Sequence, residues 1–357
     1  MIEVRNLTKI YGDHAAVSDL SFTVPSGQIY GFLGPNGAGK TTTMNIITGC
    51  LAATSGSVSI NGYDIFEDAD KAKRLIGYLP EEPPLYPDMT PYEYLDFVAK
   101  AKRVPKAERE HRIDEVMKLT RITSVADRLI RNLSKGYRQR VGIAQAILGD
   151  PEIIILDEPT VGLDPKQIIE IRELIKSLGE NHTVILSSHI LSEVRALCDN
   201  VLIISRGKLV ACDTPENLEK LFSGSSTIEL TVRAEEDEVR NALSGIINIL
   251  EISYKKVGDD GRAEVAITTD GKEDISEKVF FAFCDIRRPI LRMNHVRASL
   301  EDVFVELTSA KDGAKVYAEK QEDAELESMS GDGSDEFYEG PGSEETEETG
   351  NEGGDEQ

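Results

Sequence analysis

The sequence predicts an α/β core with an all-helical insert, followed by a small α+β unit and an acidic tail. Three observations carry this reading. Residues 34–41, Gly-Pro-Asn-Gly-Ala-Gly-Lys-Thr, sit between an apolar run at 29–33 and a helix-like stretch at 42–50. The runs 152–156 and 183–188 are mostly apolar without alternation, as strands buried on both faces of a sheet are. Residues 227–294 read strand, helix, strand, strand, helix, strand, the βαββαβ succession of a ferredoxin-like unit.

Along the chain, Ile2, Val4, Leu7 and Ile10 and then Val17, Leu20, Phe22 and Val24 predict two strands about a turn at Gly12-Asp13. Residues 56–65 predict a hairpin turning at Asn61-Gly62, followed by a short helix and a strand at 75–79. Pro80, Pro83, Pro84 and Pro87 then break regular structure, because each removes a backbone donor and restricts its predecessor. Helical periodicity at 91–103, 106–120 and 137–149 predicts the insert, at about 81–149. The core resumes at 152–156 and ends in Asp157-Glu158. Asp164-Pro165 opens a helix as N-cap and N1 proline, Ile168, Ile171, Ile175 and Leu178 form its apolar stripe, and Gly179 closes it. The strand at 183–188 ends at His189, and a hairpin follows around Arg206-Gly207. A last helix at 299–307 closes the α+β unit. The expected domains are therefore 1–222 and 225–310. In residues 319–357, Glu, Asp, Gly and Ser dominate and apolar side chains are too few to offset ordering entropy, so a disordered acidic tail is expected.

The chain has 357 residues and a net charge of −24, of which residues 319–357 contribute −15. Phosphate neutralisation needs clustered Lys and Arg, so nucleic acid is not an expected partner. Cys50, Cys198, Cys212 and Cys284 are far apart and the histidines form no His-x-x-x-His pair, which fits a reducing cytosol and no structural zinc. No run of eighteen apolar residues occurs, so the chain is not expected to cross a membrane by itself.

Residues 34–41 satisfy G-x-x-x-x-G-K-[ST] at every fixed position. Gly34, Pro35, Asn36, Gly37, Ala38 and Gly39 would turn backbone N–H groups around a phosphate, and the helix beginning near Thr42 would add its positive dipole end. Lys40 would bring a point charge to the terminal phosphates and the Thr41 hydroxyl would hold Mg²⁺. Hydrolysis needs one carboxylate for Mg²⁺ and a second group to orient or deprotonate water, and Asp157 and Glu158 can divide those tasks. His189 could sense the terminal phosphate or be structural. Tyr11 could pack on a sheet edge or offer its ring to an adenine.

Five features in order make the chain resemble, over residues 1 to about 220, the ATP-binding subunit of an ATP-binding cassette (ABC) transporter of the bacterial export type: the phosphate loop, Leu133-Ser134-Lys135-Gly136-Tyr137 opening a helix, the 153–158 strand, Gly162-Leu163-Asp164, and His189. The resemblance implies a P-loop NTPase fold, ATP and Mg²⁺ as ligands, and a second cassette paired head to tail. It implies adenine stacking on Tyr11, phosphate and Mg²⁺ on Lys40 and Thr41, Mg²⁺ on Asp157 and Glu81, Glu158 as general base and His189 as switch. Ser134, Gly136 and Asp164 would face the partner subunit's site. It further implies an integral-membrane permease as partner and a place on the inner face of the cell membrane. Two positions depart from the family pattern. Lys135 and Tyr137 stand where Leu-Ser-Gly-Gly-Gln has its first glycine and its glutamine, and Glu81 stands where a glutamine is usual. Residues 225–310 resemble the C-terminal extension of some export-type cassettes. A soluble ABC ATPase acting on a macromolecular complex is the alternative, against which stand the single phosphate loop and the absence of sustained heptads.

Overall fold

The computed structural model describes residues 1–222, 226–257, 261–270, 273–296 and 299–330. The elements in order are β1 (Ile2–Tyr11), β2 (His14–Val24), β3 (Ile29–Leu33), α1 (Lys40–Ile47), β4 (Ser55–Ile60), β5 (Tyr63–Asp64), α2 (Ala69–Arg74) and β6 (Ile76–Leu79). The insert contributes α3 (Pro91–Ala101), α4 (Arg109–Leu119) and α5 (Lys135–Ile147). Then come β7 (Ile153–Leu156), α6 (Pro165–Gly179), β8 (Thr183–Ser187), α7 (Leu191–Leu197), β9 (Asn200–Ser205), β10 (Lys208–Asp213) and α8 (Pro215–Phe222). The rest is β11 (Ser226–Val232), α9 (Glu236–Leu243), β12 (Ile249–Val257), β13 (Arg262–Thr269), α10 (Ser276–Asp285), β14 (Ile290–Val296), α11 (Leu300–Ser309) and α12 (Gly313–Ser330).

The central sheet runs β10-β9-β3-β8-β7-β6, parallel except for β10. Every residue of β3, β7 and β8 is buried, because apolar layers cover both faces. The period of two divides the strands cleanly. Ile153 and Ile155 face a core shared with β1, β2 and α1, whereas Ile154 and Leu156 face the core built with the insert, α6 and α7. The first strands form a separate antiparallel sheet, β2-β1-β4-β5, which the alternation of residues 2–24 does not distinguish from an edge of the central one. The β9–β10 turn carries Arg206 and Gly207 at φ 51° and 76°, as expected of a tight hairpin.

The small unit pairs its strands as β12-β13-β11-β14, all antiparallel, the ferredoxin-like order. Its core is Ile228, Leu230, Val265, Ile267, Val279, Phe283 and their neighbours. Its expected end at residue 310 needs correction. Leu300, Val303 and Leu307 of α11 are fully buried, but in the large core with α7, α8 and β9. A stripe at this spacing says that a helix is buried and not against what.

The expected disordered tail from residue 319 is also corrected, because α12 is helical through residue 330; residues 331–357 lie outside the described residues. Good helix formers in 314–327 outweigh the acidic average of the whole tail. The first half of α12 docks on residues of the larger unit. Val316 and Tyr317 pack on the large core, the Tyr317 hydroxyl donates to Asp213 Oδ2 at 3.1 Å, and Lys320 Nζ lies 5.7 Å from the Phe222 ring centroid. Truncation after Asp312 is expected to lower the Tm in a thermal melt by a few degrees. Losing two partly buried side chains costs about 1–3 kcal/mol, and each kcal/mol is worth about 2–4 °C in a domain of this size. An unchanged Tm would show that α12 contributes no packing energy.

Candidate functional site

The candidate site lies at the carboxyl ends of β3, β7 and β8. The loop after β3 is narrow. A Cβ on Gly34 would come 2.5 Å from the Ile204 carbonyl oxygen, and one on Gly39, at φ 103°, 2.4 Å from that of Ala16. Only glycine fits both positions, and the loop delivers α1 with Lys40 at its first turn. Lys40 is buried, and its Nζ donates to the Gly34 carbonyl at 2.7 Å and the Pro35 carbonyl at 3.4 Å. Burial pushes its ammonium down from the ordinary value, and the charges of Glu158, Asp157 and Glu81 pull it back up. The charges of all three carboxylates predicted for the site therefore act on the predicted phosphate lysine. Thr41 and Glu81 are exposed.

Asp157 is fully buried at the end of β7. Its Oδ1 accepts the Ser187 hydroxyl at 2.5 Å, and its Oδ2 is a buried oxygen without a hydrogen-bond partner. An orphaned carboxylate oxygen is costly to keep, and it suits a cation that the protein holds through one carboxylate and otherwise through phosphates and water. No group of three or more His, Cys, Asp or Glu forms a metal cage among the described residues. The single carboxylate with a free oxygen fits a hard cation that takes its remaining ligands from elsewhere.

Glu158 sits in the left-handed region at φ 50°, a strained conformation for this residue. Its N–H donates to Ser187 Oγ at 2.8 Å, so one hydroxyl bridges Asp157 and Glu158. Its Oε2 is 2.9 Å from His189 Nδ1, with His189 half exposed. The strand ends of β7 and β8, thirty residues apart in sequence, thus bring Asp157, Glu158 and His189 together. Sequence reasoning placed Ser187 only within the strand at 183–188 and missed Thr160 and Glu193, which meet through a hydrogen bond of 2.7 Å. Neither belongs to a recognisable local pattern.

Tyr11 is exposed at the end of β1, with Lys9 Nζ 5.2 Å from its ring centroid. Ser134 caps α5 by accepting the Tyr137 N–H at 3.4 Å, and Asp164 caps α6 by accepting the Gln167 N–H at 2.9 Å. Both are exposed. Gly136 is buried. A Cβ there would lie 2.5 Å from Gln167 Oε1, so the glycine serves the close approach of α5 to α6. Lys135 reaches across the same junction, its Nζ 2.3 Å from where a Cβ on Gly162 would be. Residues 134–136 and 162–167 therefore form one patch, with a cavity of about 540 Å³ beside it lined by Glu81, Lys135, Arg138 and Val161 among others.

This architecture is that of a phosphate-loop nucleoside triphosphatase with a helical insert. Residues 17–161 match the protein-family model described as ABC transporter. The chain is 32 % identical over 309 residues to the linearmycin resistance ATP-binding protein LnrL of Bacillus subtilis (strain 168), covering 86 % of this chain and 98 % of that protein. It is 36 % identical over 321 residues to the bacitracin transport ATP-binding protein BcrA of Bacillus licheniformis, covering 86 % and 97 %. Among solved structures, an ATP-binding subunit of an ABC transporter is 32 % identical at a TM-score of 0.58, covering 62 % of this chain and 93 % of that one. A dimeric ATP-binding cassette in a post-hydrolysis state, bound to ADP and Pi, is 28 % identical at a TM-score of 0.56, covering 60 % and 98 %. The chain belongs to the ABC transporter family, as an ATP-binding subunit with ATPase activity.

Proposed function

We propose that the chain powers export through a separate integral-membrane permease, with Mg-ATP bound between two cassettes. The observation that carries this reading is the division of the site. Lys40, Asp157, Glu158 and His189 gather at one set of strand ends, while the exposed caps Ser134 and Asp164 share a second patch made by the starts of α5 and α6. Two helix N-termini side by side favour an anion, and a second subunit related by a two-fold axis would place this patch over the first subunit's phosphates. The dimeric relative bound to ADP and Pi supports that arrangement.

In this reading Asp157, Thr41 and Glu81 would hold Mg²⁺, and the ion would supply neutralisation of phosphate charge. Residues 34–42 cradle the phosphates, Lys40 neutralises the terminal ones, and Tyr11 stacks on adenine. Glu158 accepts the proton of the attacking water, and His189, hydrogen-bonded to it, reports on the terminal phosphate. The permease contact is the start of the insert. There Tyr86 and Phe97 are exposed with ring centroids 5.4 Å apart, and Tyr86 stands edge-on to buried Tyr94. No described helix is long and apolar enough to cross a membrane, so the place on the inner face of the membrane depends on that contact. The names of relatives that act in transport, resistance and Nod factor export support the export direction.

Mixing subunits tests the shared site. Lys40→Ala and Ser134→Arg subunits are each expected to be inactive alone, whereas their heterodimer retains one intact composite site. ATPase activity in the mixture and in neither parent would support the arrangement. Full activity of Ser134→Arg by itself would show that hydrolysis needs no second subunit and would return the soluble-ATPase reading.

A further inference from the structure

We propose that Glu193 is a positioning residue that fixes Glu158 and His189 relative to one another by tying together the loops that carry them. Glu193 lies in the first turn of α7 and is 2 % exposed. Its Oε2 accepts the Thr160 hydroxyl at 2.7 Å and the Ser188 hydroxyl at 3.4 Å. Thr160 is two residues past Glu158, and Ser188 immediately precedes His189. One oxygen therefore holds both loops. The other, Oε1, is buried without a hydrogen bond and lies 3.5 Å from an Arg172 nitrogen on α6, the helix that Asp164 caps.

A carboxylate this deeply buried is costly unless paired, and a mere link between two loops could be made by an amide. The ion pair extends the network to α6 and so to the loop at 160–164. Ser188 Oγ also accepts the Ile190 N–H at 3.0 Å, which shapes the turn presenting His189. Glu158 holds a left-handed backbone, which persists only where the surroundings over-determine it. Ser187 restrains it from one side and Thr160, through Glu193, from the other. A displacement of the 160–164 loop is transmitted to His189 through a single buried side chain.

The proposal rests on the catalytic reading of Glu158 and His189, and the experiment separates the two. Full-length Glu193→Ala, Thr160→Val, Thr160→Ser and His189→Ala proteins are assayed for Tm, ATP affinity, kcat and KM. Glu193→Ala and Thr160→Val should lower kcat about tenfold or more with KM and ATP affinity within about twofold, while Thr160→Ser, which keeps the hydroxyl, should restore kcat. Adding Glu193→Ala to His189→Ala should cost no more than about twofold further, because residues that act as a unit are not additive. A slow His189→Ala beside a folded, fully active Glu193→Ala overturns the positioning role and leaves the catalytic reading standing, as do fully additive losses. A fully active His189→Ala overturns that reading and the proposal with it. If Glu193→Ala fails to fold, equal activity of Thr160→Val and Thr160→Ser overturns the proposal.

Discussion

Glu158→Gln is expected to bind ATP with near wild-type affinity and to hydrolyse it about 10²- to 10⁴-fold more slowly, the usual contribution of a positioned base. The argument is local. Glutamine keeps the size of the side chain and can still accept from His189, whose Nδ1 is 2.9 Å from Glu158 Oε2. The backbone restraint from the Ser187 hydroxyl is untouched, because it is made to the Glu158 N–H. Asp157, with its orphaned Oδ2, is unaltered and keeps its place for Mg²⁺. What the amide lacks is the basicity to take a proton from water. The variant should therefore accumulate ATP-bound dimers, detectable by size exclusion with Mg-ATP present. Wild-type turnover without such dimers would remove Glu158 from its proposed role and weaken the composite site.

The parts of this molecule that were legible in the sequence are those whose signal is local. The phosphate loop is read from consecutive residues because its glycines answer to backbone sterics, and Gly34 and Gly39 do face carbonyls at closer than van der Waals distance from any added Cβ. The runs in β7 and β8 read as strands buried on both faces because two apolar cores cover them. Asp164-Pro165 reads as a helix start, and Asp164 accepts the N–H that an N-cap accepts.

What was not legible depends on which surfaces meet. The stripe of α11 is visible, but its choice of the large core over the small unit is made by α7, α8 and β9. The helix α12 is hidden by averaging, since its first half, with Ala314, Val316, Tyr317 and Ala318, precedes a long acidic stretch. The close approach of Gly136 to Gln167, on another helix, has no trace in the motif that contains the glycine. Thr160, Ser188 and Glu193 carry no motif that names them, because the contact between Thr160 and Glu193 spans 33 residues and exists only once β7 and β8 are neighbours.

Lys40→Ala is expected to reduce ATP affinity by about 10- to 150-fold, the range for losing a hydrogen bond to a charged group, and to abolish measurable hydrolysis at ordinary ATP concentrations. Lys40 is the cation against which Glu158, Asp157 and Glu81 are balanced. Removing it leaves three carboxylates facing a polyphosphate, so the site changes from one that attracts anions to one that repels them. The Gly34 carbonyl, which now accepts from Lys40 Nζ at 2.7 Å, loses its donor as well. The fold should survive, since the large cores on either side of the sheet do not include this side chain. Nucleotide titration at fixed Mg²⁺, with a thermal melt as the control for folding, separates the two effects. Unchanged ATP affinity in a folded Lys40→Ala protein would mean that residues 34–41 do not hold the phosphates. A Lys40→Arg protein refines the test, because it keeps the charge on a planar fork that must enter the same narrow space. Partial recovery of affinity would assign the loss mainly to charge, and no recovery would assign it to the close fit of the ammonium among the Gly34 and Pro35 carbonyls.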